Sequence, residues 1–372
     1  MTTISPLQPR IFSLDTVPDI EDKRASDPGL LFANNNEIAK LEGIGVDNEN
    51  VPRRKMTIAE GLRPLLVSMK MFGLYFNPAP EDTGDDRKKK SCKWNAHRIY
   101  AVTVVVLLWI NAVRAITVFT RDEVFGVVLL NKLILINWSL QCAVSQTAFY
   151  AASFSGRLSI VFDQTLDDSC ANHARKSATL YTAVSWLVVV SALSFIVYGL
   201  LITGGEKDYF LTPLQNHIAV SNPLIPRIVV CFIVLYMASA HIFSQTTTFV
   251  LAWIFSHQFM KVSKTLRRLL ETDQRHVSDS DIEMLRQKHQ QIAMNVDHID
   301  DCLMFSNASA FCCQVFAAIV LLYTITFWHS VVTDVVFISC YVFWIFMESV
   351  GLALTAAGGI MVHHYVRSVN VF

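Results

Sequence analysis

The chain has 372 residues, with 31 Lys and Arg against 31 Asp and Glu, so its formal net charge is zero. Only 17% of residues are charged and 52% are apolar, whereas a soluble domain of this size carries about a quarter charged residues. The composition excludes an ordinary soluble protein and points to lipid as the solvent.

Polar residues collect at the start. Up to Val51 there are nine acidic residues against four basic and no long apolar block, so residues 1–60 read as a disordered cytoplasmic tail. Residues 61–98 follow as an interfacial amphipathic helix and a basic juxtamembrane segment. In LRPLLVSMKMFGLYF, the residues Leu62, Leu65, Leu66, Met69 and Phe72 or Phe76 fall largely at helical spacing, opposite Arg63, Ser68 and Lys70. The run is too short to span, which predicts a helix lying along the inner leaflet. The alternative is a helix tucked against the bundle without lipid contact. The basic run Arg87–Lys90 suits anionic headgroups rather than nucleic acid.

A spanning helix needs about 20 predominantly apolar residues, because the bilayer offers no water to pair a free backbone group. Six stretches qualify: Ile99–Thr120, Val124–Phe154, Ala178–Thr203, Ile225–Phe255, Ser306–Phe327 and Val331–Gly358. The predicted fold class is all-α, a polytopic membrane helix bundle. Residues 99–257 hold its first four spans and residues 306–358 the last two. The first block lies behind a long polar leader and serves as its own signal anchor. Residues 52–98 carry eleven basic residues against five acidic, which puts the N-terminus in the cytoplasm. The same rule puts two further connections inside: the second-to-third, with Arg157, Arg175 and Lys176, and the cation-rich fourth-to-fifth. Outer loops near 121–123, 204–224 and 328–330 carry only Arg121 and Lys207. None of the eight cysteines falls in those loops, which disfavours the outer-disulfide pattern of G-protein-coupled receptors. Sequons at Asn137 and Asn307 lie within or at the edge of spans and are expected to stay unused.

Three ionisable residues lie within the spans. Arg114 can snorkel from the first helix, Lys132 is a turn or two into the second, and Glu348 is deep in the sixth. A carboxyl at that depth is costly unless paired or wet, so Glu348 is a candidate for gating or cation attraction. The alternative is a structural hydrogen bond to a neighbour such as Gln245. His241, Gln245 and Thr246–Thr248 read as glue between helices.

Residues 258–305 form the predicted cytoplasmic hairpin. Phe255, Phe259, Val262, Leu266 and Leu269 carry one apolar seam beyond the fourth span. After a polar turn, Ser280 and Glu283 have capping-box spacing, and Ile282, Leu285, His289, Ile292, Val296, Ile299 and Leu303 form a second seam. So short a pair has little core of its own and is expected to pack on other helices or other subunits. Residues 359–372 read as a cytoplasmic tail.

Chemical signatures are weak. Cys312 and Cys313 with His329 lack metal-ligand spacing, and His363-His364 reads as solvated tail. SGRLS and ITGGEKD lack a phosphate-loop pattern, and Asp163, Asp167, Asp168 and His173 read as a hydrated inner loop. No enzyme activity, metal or cofactor is expected. A secondary transporter or unrelated scaffold is the competing class, but a transporter predicts repeated halves or helices broken at mid-membrane. No repeat is evident, and Gly199, Gly204 and Gly205 lie toward a helix end.

Pro64, Leu65, Leu66, Phe72, Gly73 and Leu74 form a Leu-rich PLL…FGL segment ahead of the first span. With the long hairpin and the run VDHIDDCLMFSNASAFCCQVFAAIVLLY, the chain resembles an invertebrate gustatory receptor of the insect chemoreceptor superfamily. The resemblance implies a plasma-membrane protein of seven helices that assembles as a homotetramer, or with related receptors. It further implies a non-selective cation pathway lined by the seventh helices and opened by a small organic ligand, as in the sensory perception of taste. After the sixth span no seventh apolar block follows, so a fragment, or a member without the pore helix, is expected. The pocket of such a receptor lies in the outer half of the bundle. Topology then nominates Asn131, Asn137 and Trp138, Phe195 and Tyr198, Tyr236, Tyr323, and Tyr341 and Trp344 as ligand-binding residues for a sugar or small amphipathic molecule. Interface belts and simple packing are the competing roles for these aromatics.

Overall fold

The computed structural model describes residues 56–76, 87–117, 119, 125–198, 224–271, 279–327 and 335–369. Most of the expected N-terminal tail, the expected outer loops near 121–123, 204–223 and 328–330, and the turn of the hairpin lie outside the described residues. In chain order the elements are β1 (Met56–Thr57), α1 (Ile58–Gly61), α2 (Arg63–Met71), α3 (Arg87–Thr117), α4 (Val127–Phe154) and α5 (Arg157–Phe162). Then come β2 (Thr165–Leu166), α6 (Asp168–Val197), α7 (Leu224–Glu271), α8 (Asp279–Phe327) and α9 (Val335–Val369). Six of them, α3, α4, α6, α7, α8 and α9, are long and apolar enough to cross a membrane. The chain is a polytopic helical membrane protein, with a two-residue antiparallel strand pair as the one sheet among the described residues.

Several boundaries move from their expected places. The run Arg87–Lys90 is the first turn of α3 itself, and α6 begins at Asp168, well before Ala178. Helix α9 continues to Val369, so most of the segment expected as a tail is helical. At the other end residues 56–60, expected within the tail, form β1 and most of α1. There Thr57 and Glu60 form a capping box, with Glu60 N–H donating to Thr57 Oγ1 at 3.2 Å and Thr57 N–H donating to Glu60 Oε2 at 3.1 Å.

Helices α7 and α8 contain 48 and 49 residues, roughly 70 Å each at 1.5 Å per residue. That is more than twice a hydrocarbon core of about 30 Å. Their excess forms a hairpin whose seams meet. Phe259 is fully buried with its ring 5.2 Å from that of His289, Val262 and Ile292 are buried, and Leu266, Leu269, Leu285, Val296 and Ile299 are half-buried. Ile282 is the exception, exposed at the edge. The hairpin does not stand alone. Asp167, just after β2, accepts from Lys261 of α7 at 3.0 Å and from Lys288 of α8 at 3.2 Å, and Asn295 of α8 donates to Gln164. The predicted hydrated loop is therefore a clamp that ties β2 to both arms.

Helix α2 corrects the expectation of a helix flat on the inner leaflet. Its apolar face is buried in protein, with Leu62, Leu65 and Met69 fully inaccessible. Phe72 reaches between α6 and α7, where its ring lies 5.5 Å from Trp186, 5.9 Å from Tyr236 and 5.7 Å from Phe243. Trp186 Nε1 donates to Ser68 Oγ at 2.9 Å, fixing α2 against the middle of α6. The last carbonyls of the segment find side-chain donors in the neighbouring spans. Tyr100 donates to Met71 O, Gln146 Nε2 to Phe72 O at 3.2 Å, and His97 Nε2 lies 3.2 Å from Tyr75 O. Carbonyls at the end of a helix have no partner within it, and these side chains supply one.

Candidate functional site

The site lies at the end of the bundle away from the hairpin, where α4, α6, α7 and α9 converge. Antiparallel packing brings the C-terminal half of α6 beside the N-terminal parts of α4, α7 and α9. Between them is a cavity of about 60 Å³. Small and branched side chains, including Val188 and Ala192 of α6 and Ala238 and Ile242 of α7, line the space together with Phe195, Phe343 and Met347. The walls are apolar apart from His241 and Glu348.

Trp138 and Trp344 form one wall, with ring centroids 5.4 Å apart and planes at 79°, an edge-to-face pair. Trp344 Nε1 also donates to Glu348 Oε1 at 3.2 Å, one helical turn along. Glu348 is only 3% exposed and its second oxygen, Oε2, has no partner. His241 is 6% exposed; its Nε2 lies 3.4 Å from Gln245 Nε2 and its Nδ1 has no partner. His241, read from sequence as glue, is thus a cavity residue, and the missed signal is its position one turn from Ala238 on the same face.

The other nominated residues lie elsewhere. Asn137 Nδ2 donates to the Cys313 backbone carbonyl at 2.8 Å, tying α4 to α8. Tyr198 is exposed at the end of α6. Tyr236 shares a hydroxyl contact of 3.0 Å with Tyr100 and edges Phe72 below the cavity. Tyr323 is also exposed, with its ring against Phe125 and Phe327. Tyr341 donates to Asn131 and belongs to a separate small core with Leu130, Ile134, Val320 and Leu321. Gln245 does not line the cavity. It flanks Gly351 together with Gln314, whose two amide atoms are buried without partners. Arg114 turns back onto its own helix, donating twice to Asn111 Oδ1 at 3.1 and 3.0 Å.

Among the described residues no group of three or more His, Cys, Asp or Glu is placed to hold a metal ion. Neither a protein-family model nor a curated protein matches the sequence. Among solved structures, the chain superposes on the insect olfactory receptor OR5 from Machilis hrabei with a TM-score of 0.58. The alignment covers 82% of this chain and 80% of that one, at 13% identity. The fold is that of an insect olfactory receptor. At this identity the likeness carries helix order and packing, while the side chains lining any cavity are the chain's own.

Within this receptor fold, the cavity can hold a few waters or a short apolar chain with one polar group. A sugar ring does not fit without movement of the walls, since even benzene binds in a cavity of about 150 Å³.

Proposed function

We propose that the chain is a gustatory-receptor-like subunit of the insect chemoreceptor superfamily, acting in a ligand-gated, non-selective cation channel of the plasma membrane. Its ligand is a small organic molecule held between α4, α6, α7 and α9. The subunit assembles as a tetramer, with itself or with related receptors, and its N-terminus and hairpin face the cytoplasm. The PLL…FGL segment, the olfactory-receptor fold and the excess of cations at the hairpin end support this reading. One observation carries it furthest: four spanning helices line an apolar cavity with a tryptophan pair on one wall and two buried polar side chains, His241 and Glu348, among its lining residues.

Full-length chain expressed alone, and together with a related receptor, is challenged with a panel of small organic molecules under voltage clamp. Ligand-evoked cation current that disappears in Ala192→Phe, which fills the cavity, is the expected result. Current that survives Ala192→Phe, or no current in either setting, overturns the reading.

A further inference from the structure

Exposure changes from one side of the cavity to the other. Trp138 of α4 and Ala238 and His241 of α7 are buried, whereas Ala192, Phe195 and Ile196 of α6 and Phe343 and Met347 of α9 are half-buried. The less buried side is the one where α6 and α9 adjoin. Each of these helices packs extensively on α7, but among the described residues they make few contacts with each other. Phe195 and Phe343, with ring centroids 5.2 Å apart, bridge them. Helices α6 and α9 are also the two least buried of the six spans. Leu187 and Val190 of α6 and Val342 and Phe346 of α9 flank the lining residues and are exposed. Apolar side chains exposed along a spanning helix meet hydrocarbon rather than water.

We infer that the cavity opens sideways between α6 and α9 into the bilayer and takes the end of an unbranched alkyl chain from the hydrocarbon, with the Phe195–Phe343 contact as the gate. This rests on the reading of the cavity as the ligand site and adds the route and the chemistry of what enters. An alkyl chain is narrower than any ring, so its last carbons fit a space of about 60 Å³ while the rest of the molecule stays among the lipid tails. Ala192, Phe195, Ile196, Phe343 and Met347 offer dispersion contacts and no side-chain hydrogen bond on the way in. A polar group taking this path would lose water without gaining a partner, so it is left behind at the membrane surface.

The test is photolabelling of the full chain in nanodiscs by decanol carrying a diazirine at its far end, with the labelled residues mapped by mass spectrometry. Label on Ile196, Phe343 or Met347 that unlabelled decanol displaces, and that is lost in Ala192→Phe, is the expected result. Label on Leu187 and Val190 should persist in that variant, which shows it to be folded in the bilayer. A second arm places the diazirine at the end of a phosphatidylcholine chain. Wall label from this probe assigns the occupant to the bilayer's own lipid, and wall label from decanol alone assigns it to a dissolved ligand; either result upholds the opening. Label confined to Leu187, Val190, Val342 and Phe346 with both probes overturns it, as does wall label that neither unlabelled decanol nor Ala192→Phe removes. Ligand-evoked current that Ala192→Phe abolishes would then still support the cavity as the ligand site, filled from the aqueous side, so the two readings fail separately. If Ala192→Phe does not fold, displacement by unlabelled decanol in the unmodified protein decides the matter alone.

Discussion

Phe72, one residue beyond the nine-residue helix α2, stacks on Phe243 in the interior of α7 with ring centroids 5.7 Å apart and planes 20° from parallel. This contact anchors a segment that has no span of its own to the middle of the bundle. Replacing Phe72 by Ala opens a cavity among Trp186, Tyr236 and Phe243. The expected loss is about 3–5 kcal/mol, the range for deleting a buried phenyl group. Denaturation of the full chain in detergent measures it, and a loss below about 1 kcal/mol would show that the wedge is not packed as described.

Gly73 turns the chain immediately after that phenylalanine, at φ +69°, and a Cβ there would meet Ala101 Cα at 3.2 Å. Both the left-handed backbone and the contact with α3 oppose a side chain. Gly73→Ala should cost at least about 1–2 kcal/mol from the backbone alone. Gly359, where a Cβ meets nothing within 4 Å, supplies the control. Gly359→Ala should be neutral or slightly stabilising in the same denaturation assay.

Asp167 joins the two arms of the hairpin through Lys261 and Lys288. Burial alone would push its carboxyl up, but Lys288 and Lys261 outweigh burial and hold it below the usual value. A carboxylate depressed in the folded state stabilises above the unfolded value, near pH 4, and loses that contribution as the pH falls through the folded value. Asp167→Asn should therefore cost on the order of 1 kcal/mol at neutral pH. The gap between variant and parent should close below about pH 4, and melting curves across pH 3 to 7 follow it.

Gly351 lies where a Cβ would come 2.5 Å from Gln314 Nε2 and 2.8 Å from Gln245 Oε1. Three helices meet at this point, and both glutamine side-chain ends must shift to admit a methyl group. Gly351→Ala should destabilise by about 1–3 kcal/mol, as overpacking does. Pairing it with Gln314→Ala should restore most of that loss, which a double-mutant cycle reads directly.

The hairpin presents exposed cations, among them Arg267, Arg268 and Arg286. If the charge asymmetry sets orientation, trypsin should cut between α7 and α8 only in permeabilised cells. Cleavage of intact cells would reverse the topology and move the cavity to the inner half.

The six spans and the long hairpin were legible from residue order, since a hydrocarbon slab imposes a local demand on length and polarity that each segment must meet by itself. The seams Phe255–Leu269 and Leu285–Leu303 were legible for a similar reason, because heptad spacing persists past the membrane boundary. Trp138, Trp344 and Glu348 were nominated from sequence and do line the cavity. Tyr341 was nominated on the same grounds, yet it turns to Asn131, and nothing in its spacing distinguishes it from Trp344.

Hydropathy cannot tell which apolar face meets protein and which meets lipid, because lipid tails are as apolar as a leucine side chain. The depth of Phe72, the role of His241 and the clamp at Asp167 all depend on that choice. They were decided only when α6 and α7 packed around residues far away in the chain.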